Sequence, residues 1–160
     1  MKKIVILSDT HGNRADLQKM HNILSEADII LFAGDGANDM LTLPRDILNK
    51  VIAVSGNCDL STFDKERLVD VEDVKVFITH GDLYGVKQGL DKLYYRAKEL
   101  GADVAIYGHT HLSDITEEDG LLFINPGNLS KYSTNKSFGY LVISGKKATA
   151  MINYNFFNLF

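Results

Sequence analysis

The chain has 160 residues, 45% of them hydrophobic, which is enough to bury the core of one domain covering residues 1 to 160. A formal net charge of -4 without any Lys/Arg cluster excludes the basic footprint of a nucleic-acid binder or of a protein held on an anionic membrane. The single cysteine, Cys58, excludes an internal disulfide and fits a reducing, cytoplasmic setting.

In chain order, the opening MKKIVILSD has only four aliphatic residues before Ser8, too few for a secretory or membrane segment, and it reads as a first strand. Leu17, Met20, His21 and Leu24 follow helical spacing and predict an amphipathic helix over about 14 to 26, with Asn13 as its N-cap and His21 as a partly buried helix residue. DIILFAG and KVIAVSG are the next strands, joined by a less regular stretch, 38 to 49, with a short helix. VKVFITHG is a fourth strand. Leu90, Leu93, Tyr94 and Ala97 predict a second long helix that ends at Gly101, and ADVAIYG returns as a strand. After residue 112 the pattern is β only. SDITEEDGLLFINPG turns at Asp-Gly, and FGYLVISGKKATAMINY turns at Ser-Gly-Lys-Lys. The apolar tail NFFNLF is read as a last strand, with a subunit contact, and so a homo-oligomer, as the alternative. Early helices and late hairpins fit two packed sheets with helices outside.

The polar residues gather at the C-terminal ends of these strands, the edge where α/β sheets build ligand sites. Strand one runs into Asp9 and His11, the second into Asp35, the third into Asn57, Cys58 and Asp59, the fourth into His80, and the strand after the long helix into His109 and His111. Four of the five histidines lie there. An isolated His-x-His is most simply a solvated loop, but an extended backbone at 109 to 111 would turn both rings to one side, toward one object. Asp9, His11, Asp35, Asn57, His80, His109 and His111 are too many ligands for one tetrahedral ion. They suit two ions sharing a carboxylate, with N/O ligation typical of manganese, iron, zinc or nickel. Two such ions, about 3.5–4 Å apart, would clamp the attacking and leaving oxygens of a displacement and acidify a bridging water. With two ionised carboxylates, two divalent ions would leave the pocket at +2 and attract a phosphate ester.

The order Asp-x-His, Gly-Asp, Gly-Asn-x-Asp, His, Gly-His-x-His, with the local strings SDTHGN, GNCD, GHTH and NPGN, resembles the calcineurin-like metallophosphoesterases, and among them the small YfcE-type phosphodiesterases. The resemblance implies an α/β fold, a two-sheet mixed β-sandwich flanked by α-helices. It also implies a binuclear phosphodiesterase that cleaves a small phosphoester with a metal-bridging hydroxide. Asp9, His11, Asp35 and His111 would hold one divalent ion and Asp35, Asn57, His80 and His109 the other. Manganese is the first expectation, with nickel, zinc, iron and magnesium as alternatives. Asp35, Asn57 and His80 are the expected catalytic residues, and Asn13, Cys58 and Asn128 the expected substrate contacts. Three features depart from the family pattern. Cys58 stands where many members have His. NPGNLSKYS lacks the usual basic residue, for which Lys131 or Lys136 would substitute. His80 is followed by Gly-Asp where many relatives have Gly-His. The competing reading is a non-catalytic scaffold like the retromer subunit of this fold, and retention of all seven ligands favours the enzyme. Loops 36 to 48, 59 to 66 and 82 to 90 are expected to set substrate choice.

Overall fold

The computed structural model describes residues 1–60 and 63–159; positions 61 and 62 of the 59 to 66 loop, and Phe160 of the tail, lie outside the described residues. Among the described residues ten strands form two sheets of five. In the first, β1 (Lys2–Leu7) pairs in parallel with β2 (Ile29–Phe32), which pairs in parallel with β3 (Val51–Ala53). Strands β9 (Phe138–Ser144) and β10 (Lys147–Asn153) extend its other side antiparallel, in the order β10-β9-β1-β2-β3. The second sheet runs β4-β5-β6-β8-β7, where β4 is Glu66–Val71, β5 Val74–Thr79, β6 Val104–Ile106, β7 Asp114–Glu118 and β8 Leu121–Asn125. Strands β5, β6 and β8 are mutually parallel, and β4 and β7 are antiparallel edges.

Alternation along each strand creates three apolar layers. Ile4 and Ile6 of β1 face the other sheet with Leu31, Val76, Ile78, Val104 and Ile124. Val5 and Leu7 face the opposite way, onto Leu17, Met20 and Leu24 of the first helical segment. Phe77, Ala105 and Phe123 point outward from the second sheet to Leu93 and Ala97 of its helix. Because both faces of the central strands are covered, their sequences are nearly continuous apolar runs rather than alternating ones.

Three expectations change. The helix over 14 to 26 is two helices, α1 (Arg14–Lys19) and α2 (His21–Glu26). They meet at Met20, whose N–H reaches the carbonyls of both Asp16 and Leu17, the tightening typical of a last turn. His21 is exposed rather than partly buried, since the break turns it away from the buried Leu17, Met20 and Leu24. The tail is a 3-10 turn, Phe156–Leu159, not a strand; Phe156 and Phe157 meet Phe138 edge-on at 5.9 and 6.3 Å, closing the first layer. Strand β4 is an addition. Helices α3 (Ala37–Met40), α4 (Arg45–Leu48) and α5 (Asp91–Glu99) complete the fold, and among the described residues no helix is long and apolar enough to cross a membrane.

Candidate metal centre

The loops after β1, β2 and β3 in one sheet meet those after β5 and β6 in the other. Asp9 and Asp35 come from the first sheet; His80, His109 and His111 come from the second. Close approach requires glycine, at Gly56 between the β2 and β3 loops of the first sheet and at Gly108 between the two sheet edges. A Cβ on Gly56 would lie 2.1 Å from Asp35 Oδ1, and one on Gly108 would lie 2.1 Å from Ser8 Oγ and 2.7 Å from Asp9 Oδ2.

The backbone at the ligands is left-handed. Asp9, His11, Asp35, His109 and His111 have φ of 55°, 45°, 61°, 68° and 63°. Asp and His enter this region more readily than most residues. The extended geometry expected at 109 to 111 is therefore replaced by two left-handed residues, which still bring both rings inward while Thr110 turns away and accepts a hydrogen bond from Asn125 Nδ2 at 2.9 Å.

Three groups of donor atoms result among the described residues, each drawn together within 4.8 Å: Asp9, His11 and His111; Asp35, His80 and His109; and, between them, His11, Asp35 and Cys58. In the first, His11 Nε2 and His111 Nε2 are 3.3 Å apart. Asp9 Oδ1 lies 3.1 Å from His111 Nε2 and 3.5 Å from His11 Nε2, yet among the described residues this buried oxygen has no hydrogen-bond partner. In the second, His80 Nε2 lies 3.2 Å from Asp35 Oδ2 and 3.2 Å from His109 Nδ1. His80 Nδ1 is 2.7 Å from the Ala33 carbonyl, so it carries the proton there and leaves Nε2 as the lone-pair side, the usual outer arrangement of a histidine ligand. Asp35 Oδ2 also lies 3.8 Å from His11 Nε2, which links the groups. A carboxylate oxygen without a donor and two pairs of facing imidazole nitrogens are what divalent cations would satisfy, so the residues fit a metal centre.

Burial alone would raise the Asp9 carboxyl, but the His11 and His111 rings, His80 and Ser8 Oγ outweigh it and hold Asp9 well below the ordinary carboxylate range. Burial likewise opposes Asp35, and His80 with the Cys58 amide brings it down. Both are therefore ionised. The Asp9 carboxylate raises His11. His80 is raised because Asp35 and Asp9 overcome its burial, whereas His109 is lowered by burial and by His80.

The remaining expected site residues are placed as follows. Asn57 is exposed on the turn after β3, its amide donating to Cys58 Sγ at 3.6 Å. The Cys58 N–H donates to Asp35 Oδ1 at 2.9 Å, and its thiol falls within 4.8 Å of donor atoms of His11 and Asp35. Asn13 does cap α1, but its Nδ2 is committed to Asp16 Oδ2 and the Leu129 carbonyl, at 2.6 and 2.7 Å. Asn128 donates to the His111 carbonyl at 3.0 Å and accepts from Ser130 N–H. Both asparagines are buried, and these hydrogen bonds hold the chain around the site. Lys136 is bound to Asp16 at 2.6 Å, and the exposed Lys131 lies over the Tyr132 ring.

Two carboxylates were missed as supports. Asp39 Oδ2 accepts from Thr10 Oγ1 at 2.6 Å and Gly12 N–H at 2.8 Å, anchoring the loop of Asp9 and His11. Asp59 accepts from the N–H groups of Asp35, Gly36, Ala37 and Gly56, anchoring that of Asp35. The final Asp of GNCD pointed to Asp59; nothing in the spacing around Asp39 signals its role.

Two mixed sheets with carboxylates and imidazoles converging from both define a metallophosphoesterase-type fold with a candidate metal centre. Comparisons agree: the model of the calcineurin-like phosphoesterase superfamily domain matches residues 1–148. The probable metallophosphoesterase YsnB of Bacillus subtilis is 34% identical over 155 residues, covering 94% of this chain and 89% of that protein. The phosphodiesterase YfcE of Escherichia coli K12 is 31% identical over 170 residues, covering 88% of each. The wild-type Vps29 of Entamoeba histolytica, solved in complex with zinc, superposes with a TM-score of 0.74 at 19% identity, over 94% of this chain and 97% of that one, and shares the fold. The chain belongs to the calcineurin-like phosphoesterase superfamily, and its relatives make it a phosphoesterase dependent on divalent metal.

Proposed function

We propose that the protein is a binuclear, manganese-preferring phosphodiesterase acting on a small phosphoester, in one domain spanning the chain. The observation that carries this reading is the sharing of Asp35 Oδ2 between His11 Nε2 on one side and His80 Nε2 on the other, at 3.8 and 3.2 Å. Asp9, His11, Asp35 and His111 would hold one ion, and Asp35, Asn57, His80 and His109 the other. The Asn57 amide N–H2 is turned to Cys58, so the carbonyl oxygen is the atom that Asn57 would offer an ion. When bound, the ions supply Lewis-acid neutralisation of phosphoryl charge and acidify water.

The protein's own groups do the rest. Asp9 and Asp35 stay ionised and hold the charge count at +2 with two divalent ions, which draws in a phosphodiester anion. In the hydrolysis a water oxygen bonds to phosphorus, and the bond to the leaving alcohol breaks with its electron pair. The alcohol keeps one of the water's protons and the phosphate the other. Cys58 lies at the mouth, where its thiol, held up by burial and by Asp35, is a poor proton donor. Good leaving groups, such as aryl esters, are therefore preferred.

The test is metal-free protein reloaded with manganese, nickel, zinc or magnesium and assayed on phosphomonoesters, aryl diesters and cyclic nucleotides. Metal-dependent hydrolysis of an aryl diester is expected. Metal binding without turnover of any ester would replace the reading by a scaffold role.

A further inference from the structure

A cavity of about 470 Å³ opens beside His111 and is walled by Leu112, Asn135, Lys136, Tyr154 and Asn158. That volume is in the range of small-molecule sites. Among the described residues no carboxylate lines it, and the one lysine or arginine among them, Lys136, is held on Asp16 Oδ2 at 2.6 Å. The described part of the wall is thus close to neutral. The cavity on the other flank of the same turn differs, since Lys87 and Asp114 line it.

What the neutral wall offers is hydrogen bonding. The carboxamides of Asn135 and Asn158 have no hydrogen-bond partner among the described residues. Tyr154 Oη accepts from Ser113 Oγ at 3.1 Å, which fixes the phenol and leaves its own proton free to donate. Leu112, 72% exposed, adds an apolar face. Amide and phenol groups beside an apolar face match a ligand with hydroxyls on its edge and C–H groups on its faces. A plain aryl or alkyl arm would leave these polar groups without partners once water is displaced.

We propose that this cavity binds one alcohol arm of the diester, and that the arm is uncharged, rich in hydroxyl groups and about the size of a hexose. This rests on the phosphodiesterase reading above. Asn135, Tyr154 and Asn158 are then specificity-determining residues, and His111 joins the cavity to the reacting phosphate.

The test compares two diesters with the same 4-nitrophenyl leaving group, one carrying methyl and the other glucose joined through its 6-hydroxyl. The manganese-loaded protein is expected to show the higher kcat/KM on the glucosyl diester. Asn135→Leu and Asn158→Leu should each lower the glucosyl-to-methyl ratio by roughly two- to tenfold, the worth of one neutral hydrogen bond, and mainly through KM. A wild-type ratio of one, or a ratio that neither substitution changes, overturns the subsite. If neither diester is hydrolysed, the phosphodiesterase reading fails instead, and NMR titration with glucose 6-phosphate decides the cavity. Shifts in the side-chain amides of Asn135 and Asn158, but not in those of the exposed Asn22 and Asn49, uphold it, and their absence refutes it.

Discussion

Gly56→Ala is the sharpest test of how the fold holds the metal ligands. Gly56 is not among the glycines with positive φ, so alanine brings no backbone penalty of its own and the effect is steric. Its Cβ would sit 2.1 Å from Asp35 Oδ1, 2.7 Å from Asp35 N and 2.8 Å from Asp35 Cγ, where ordinary contacts begin near 3.4 Å. The Asp35 backbone is pinned by Asp59, so the carboxylate must rotate away or the turn at 56 to 59 must retreat, by about 1 Å. Overpacking of this kind costs about 1–3 kcal/mol of stability, and a 1 Å displacement of a reacting group costs about a hundredfold in rate. Metal analysis and turnover of an aryl phosphodiester should therefore show loss of metal and a fall of about a hundredfold, in a protein that still unfolds cooperatively. Gly120→Ala is the control: it lies in the β7–β8 turn with no atom within 4 Å of the new Cβ, but at φ 77°. It should lower stability by about 1 kcal/mol and leave turnover as it was. Full metal content and normal turnover in Gly56→Ala would show that Asp35 is not held where the close approach of the two loops places it.

Asp35→Ala should reduce activity further than loss of any other single ligand, because it removes a group shared by both donor sets; near-normal turnover with two metals per chain would break the binuclear assignment. His109→Ala and His111→Ala should each weaken a different metal peak in crystals, and loss of the same peak from both would contradict the division. Cys58→Ser should keep most of the aryl diesterase activity, and a phosphorylated cysteine trapped by mass spectrometry would refute a non-nucleophilic Cys58. Because His11 and His80 are raised above 6.5, they stabilise the metal-free protein most below that pH, and the contribution fades as pH rises through their folded values. Metal binding needs both rings neutral, so manganese affinity moves the opposite way and strengthens from about pH 6 to about pH 8 by calorimetry. Equal affinity at both ends would show that neither ring gives up a proton.

The candidate site was legible in the sequence because the residues that converge on it follow strand ends, where residue type is set by chemistry rather than packing. Asp9, His11, Asp35, His80, His109 and His111 could be read in order without any knowledge of which sheet carried which. The strands were legible for a related reason: both faces of β1, β2 and β5 are covered, so apolar runs such as KIVIL and VKVFIT stand out. Strand β4 was not, because Glu66–Val71 is an edge strand paired with β5 alone and carries Glu66, Arg67 and Asp70, charges that protect an edge and erase its alternation. The break at Met20 was invisible for the opposite reason. Leu17, Met20 and Leu24 stay buried on either side of it, so the apolar spacing survives although the helix does not. Asn13 and Asn128 belong to the recognisable strings, but a motif does not tell whether a side chain faces the site or supports it. Their amides proved to face inward, to Leu129 and to the His111 carbonyl.

The backbone of the site explains why so much of the motif is support. Five candidate ligand residues sit at φ of 45° to 68°, each at a cost of about 1–2 kcal/mol relative to ordinary backbone, a sum that a marginally stable protein cannot carry without specific restraint. The restraints are identifiable. Asp39 fastens the loop of Asp9 and His11, Asp59 takes four N–H groups around Asp35, and Asn125 and Asn128 fasten the turn of His109 and His111. Each hydrogen bond contributes about 0.5–1.5 kcal/mol, so the set is of the size needed to hold the strained geometry. The candidate ligands are thus positioned by groups outside the proposed ligand sets. Binding energy from the ions need not be consumed in assembling the site, and can act on the phosphoryl group.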